Sequence, residues 1–89
     1  MKKEWIEQQT NVERQFAEYL RIAKLNPADM MPGQYQETKR AFFGAWGQCL
    51  LAMRDVVGEI DDEKLATDIL GGMINQVYEF WIGENKQKT

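Results

Sequence analysis

Residues 41–53 read AFFGAWGQCLLAM, thirteen residues without a charged side chain, set between Arg40 and Arg54 in a chain where 28% of residues are charged. How this stretch is covered decides the fold. It is too short to cross a bilayer: a spanning helix needs about 20 apolar residues, and the two flanking arginines would stand only about 21 Å apart on a helix axis. It has no alternation of apolar and polar residues, and apolar side chains recur at spacings of three and four through the whole chain. The expected class is therefore all-α.

Outward from this stretch, the period predicts a helix over about 32–57. Its main seam is Tyr35, Phe42, Trp46, Cys49, Met53 and Val57, with the small residues Ala41, Ala45 and Ala52 beside it. The arc is wide enough for two neighbours, so most of 41–53 is expected in the core. Burying Phe42 or Trp46 would then contribute about 2–3 kcal/mol.

Upstream, Trp5, Val12, Phe16, Tyr19, Leu20 and Ala23 fall on one narrow line at 100° per residue, which predicts an amphipathic helix over about 3–24. The segment LNPADMMPGQ then breaks the chain. Asn26 before Pro27 can cap a short turn, Pro32 can open the next helix, and Met30 and Met31 can fill the core edge. Downstream, Gly58 is expected as a helix stop at positive φ. Asp61 is expected as the next cap, with Ile60 and Leu65 forming a hydrophobic staple. A third helix follows over about 62–82, with Ala66, Ile69, Leu70, Met73, Val77, Phe80 and Trp81 on one face. Gly83 is expected to end it before a polar tail at 84–89.

The predicted architecture is a small up-down-up three-helix bundle, one domain over 1–89, with a central second helix. A chain of 89 residues buries only about 60–65% of its unfolded surface, so association with a second copy is a natural remedy.

Reactive chemistry is sparse. With no histidine and no serine, the Ser-His-Asp and Cys-His triads and any histidine-based zinc site are excluded. Cys49 is expected as a small buried hydrophobe. The acids EIDDE at 59–63 lack the spacing of a calcium loop and suit a helix start. No catalytic residue, cofactor or metal site is expected. A formal charge of −3, with acids and bases interleaved, does not favour nucleic acid as a partner. A nucleic-acid-associated role through Lys2, Lys3, Lys39 and Arg40 stands as one alternative, and an enzyme with carboxylates meeting across an oligomer interface as another. One cysteine and a polar N-terminus without a secretory pattern lead to the expectation of a cytoplasmic protein.

Several residues are not used by the bundle. Gly44 and Gly47 lie on the back of the second helix with Leu51, at i, i+3, i+7. Gly71 and Gly72 lie inside the third, where each interior glycine costs about 1 kcal/mol relative to alanine. Gly71, Ile74, Asn75, Tyr78 and Ile82 occupy a side about 100–180° from that helix's main face. These residues are the candidate interaction surface, toward another protein or another copy in a homo-oligomer. Lys39 and Arg40, beside Phe42 and Phe43, are candidate contacts for an anion or an acidic partner.

The segment PGQYQETKRAFFGAWG resembles a pattern in small helical proteins encoded by phages and prophages. The matching positions are Pro32, Gln34, Glu37, Lys39, Arg40, Ala41, Phe42, Phe43, Gly44 and Ala45, about a fifth of the chain. The resemblance implies a mobile-element origin and an accessory role. It carries no established activity.

Overall fold

The computed structural model describes residues 1–87. They are all-α, with no strand among them: α1 Lys3–Gln9, α2 Val12–Ile22, α3 Gln34–Asp55 and α4 Glu63–Gln87, with short 3-10 turns at Pro27–Asp29 and Val57–Glu59. The chain divides into two compact units, Met1–Gln48 and Cys49–Thr89.

The expected first helix is two helices. At the break, the Asn11 carboxamide oxygen accepts from the Arg14 amide at 2.9 Å and caps α2. The Thr10 hydroxyl donates to the Ile6 carbonyl at 2.7 Å, and the Gln15 side chain donates to the Gln9 carbonyl at 2.7 Å. These bonds satisfy groups that would otherwise be orphaned at two new helix ends, so the interruption costs little.

Helix α2 stops at a Schellman motif. The Leu25 amide donates to the Leu20 carbonyl at 2.9 Å and the Lys24 amide to the Arg21 carbonyl at 3.2 Å. Lys24 sits at φ +59°, in the position where glycine is usual. Helix α3 opens after Gly33, at φ +85°, and the Met31 amide donates to the Gln34 side-chain oxygen at 3.1 Å.

Unit 1 is a hairpin of α2 against the first half of α3. Its interior is Phe16, 2% exposed, and Leu20, 7% exposed. The Phe16 ring lies 5.7 Å from Tyr35, 5.3 Å from Phe42 and 6.3 Å from Phe43, centroid to centroid. Tyr19 and Trp46 extend the cluster, at 5.3 and 5.4 Å from Phe42. Lys39 closes its edge: its ammonium bonds Glu13 across the hairpin at 2.8 Å and lies 5.7 Å from the centre of the Phe43 ring. The hydrogen bond to Glu13 raises the Lys39 pKa above the ordinary lysine value, against a smaller opposing effect of desolvation. The bridge's contribution is therefore present at neutral pH and is lost as pH rises through that raised value.

The expectation that 41–53 is mostly core is corrected. No residue of α3 is fully buried; Phe42, Phe43 and Trp46 are half-buried, and Leu50 and Leu51 are exposed. The reason lies in unit 1, where α2 is an eleven-residue helix and covers one side of its longer partner. Trp5 and Met31, expected to cover the core, are exposed. Cys49 is also exposed rather than buried on a seam.

In unit 2, Gly58 does not act through a positive φ. It lies within the Val57–Glu59 turn, where an added Cβ would come within 3.1 Å of the Met53 carbonyl oxygen. The α4 cap is Asp62 and not Asp61: its carboxylate accepts from the Lys64 and Leu65 amides at 2.9 and 3.2 Å. Gly83 does not end α4, which continues to Gln87. A glycine stops a helix when it turns left-handed, and among the described residues only Gly33 does so among the glycines. The end of the expected polar tail, residues 88–89, lies outside the described residues.

Two substitutions test this account. Phe16→Ala should cost about 3–5 kcal/mol and abolish cooperative urea unfolding of unit 1, followed by aromatic near-UV circular dichroism. Lys24→Gly should raise the urea midpoint, by up to about 1 kcal/mol of stability, because glycine relieves the left-handed conformation. A midpoint lowered by Lys24→Gly would contradict the Schellman reading.

Candidate interaction surface

Helix α4 begins with acids. Asp62 caps it, Glu63 occupies the first turn, and Lys64 pairs with Asp68 at 3.0 Å. Beyond Asp68 the next charged residue is Glu79, so ten residues pass without charge. Within unit 2 this helix packs on the Val57–Glu59 turn. A turn of three residues covers little of a helix of 25 residues.

Both of its apolar sides are left open. On the face expected to be core, Ile69, Leu70, Val77, Phe80 and Trp81 are exposed, and only Ala66 and Met73 are half-buried. On the other side Ile74, Tyr78 and Ile82 are exposed, at 60%, 65% and 37%, together with Asn75. Phe80 and Trp81 meet edge to face at 5.2 Å, which shields part of each ring. Sequence reasoning placed Ile74, Asn75, Tyr78 and Ile82 on an outward face. It assigned the opposite face to the core, and those residues are the ones it missed as surface. The signal was the breadth of the apolar arc: a helix hydrophobic on most sides must be surrounded.

The glycines are not explained by packing inside the chain. At Gly44, Gly47, Gly71 and Gly72 an added Cβ would meet nothing within 4 Å, and α3 and α4 run unbroken through all four positions. No atom approaches any of the four closely. Gly44 and Gly47 belong to unit 1; Leu51, Gly71, Ile74, Asn75, Tyr78 and Ile82 belong to unit 2. The α4 members share one side of a continuous helix.

Lys39 and Arg40 differ in environment. Lys39 is held by Glu13 at 2.8 Å, whereas Arg40 is exposed. Together with Glu13, Gln36 and Phe43 they line a shallow hollow of about 190 Å³. Its carboxylate already occupies the ammonium, which lowers its appeal to a further anion.

A second hollow in unit 1, about 410 Å³, lies between α2 and α3 and is lined by Tyr19, Leu25, Thr38, Ala41, Phe42 and Ala45. It adjoins another that shares Tyr19 and Phe42 and adds Ile22 and Trp46. Ile22 is exposed there, so an apolar strip runs along the open side of the hairpin. Sequence reasoning named Ala41 and Ala45 as a line of small residues beside the α3 seam but expected them to be covered as part of the core.

Among the described residues, no group of three or more cysteine, aspartate or glutamate side chains gathers where it could hold a metal ion, and no helix is long and apolar enough to cross a membrane. Comparison of the chain with protein-family models, with curated proteins and with solved structures finds no match.

The open glycines give a direct test. Gly71→Ala and Gly72→Ala should each raise the helical stability of dilute protein, by about 1 kcal/mol, measured as the thermal midpoint by far-UV circular dichroism. A lowered midpoint at low concentration would mean that the glycines serve a contact within the chain.

Proposed function

We infer that this chain is a small non-catalytic protein-interaction module that acts by self-assembly or by binding another protein. The observation that carries this reading is α4: a 25-residue helix that packs on the Val57–Glu59 turn of its own unit and still has Ile69, Ile74, Val77, Tyr78, Phe80 and Trp81 exposed on different sides. A helix of this composition gains its stability from burial against other helices and not from propensity.

The arrangement that satisfies it is the up-down-up three-helix bundle, with α2, α3 and a copy of α4 side by side and α3 in the centre. In such a bundle the half-buried Phe42 and Trp46 become core. The pairing of Lys39 with Glu13 supports a protein partner over nucleic acid, since it removes one of the few cations a phosphate backbone would use. The resemblance of residues 32–45 to small phage- and prophage-encoded proteins supports an accessory role in the cytoplasm of a host cell.

Light scattering behind a sizing column, at micromolar concentration, tests the self-assembly part. The expected mass is a multiple of the 10.4 kDa chain, and Val77→Glu on α4 should return it to the single-chain value. A clean monomer at every concentration, unchanged by Val77→Glu, would remove self-assembly.

A further inference from the structure

We draw no further inference here: the strongest candidate, the apolar hollow on the open side of the α2–α3 hairpin lined by Tyr19, Leu25, Ala41, Phe42 and Ala45, is an unpartnered apolar face, and nothing in the structure shows what covers it.

Discussion

Helix α4 carries apolar side chains on both of its sides, and such a helix is stable only when other surfaces enclose it. Within its own unit it packs on the Val57–Glu59 turn. Asp62 caps its start, and it runs for 25 residues. What is missing is cover for Ile74, Val77, Tyr78, Phe80 and Trp81. The rest of the molecule makes sense once that shortage is taken as the governing constraint.

Unit 1 shows the same shortage from the other side. Phe16 and Leu20 are the only fully buried apolar residues described. The aromatic cluster around Phe16 ties α2 to α3, and the Lys39–Glu13 bridge clamps its edge. This cluster lies to one side of α3, and Ile22, Ala41 and Ala45 remain beside an open hollow. Unit 1 has an open apolar hollow, and unit 2 has a helix with exposed apolar faces.

Much of the local structure was legible in the sequence because it follows from periodicity. The seam through Phe16 and Leu20, the breaks at Asn26–Pro27 and near Gly58, and the acidic start of the last helix all follow from residue type and spacing. Other features depended on competition between local bonds. Asn11 can sit inside a helix or cap a new one; the Thr10 and Gln15 side chains decide for the cap by satisfying the end of α1. Gly83 can stop a helix or lie within it, and a stop needs a left-handed turn that the following Glu84, Asn85 and Lys86 do not impose. Lys24 ends α2 in the left-handed position without being a glycine, which composition cannot signal. Burial was the least legible property. The apolar content of 41–53 marks it as a surface to be covered, but periodicity does not say whether the cover comes from the same chain or from another.

Amide hydrogen exchange of α4, followed residue by residue across a concentration series, bears most directly on the claim that this helix depends on a second chain. Protection at Ile74, Val77 and Phe80 should be near zero in the most dilute protein and rise with concentration, while protection at Phe16 and Leu20 changes much less. Full protection along α4 in a single chain, independent of concentration, would contradict the account.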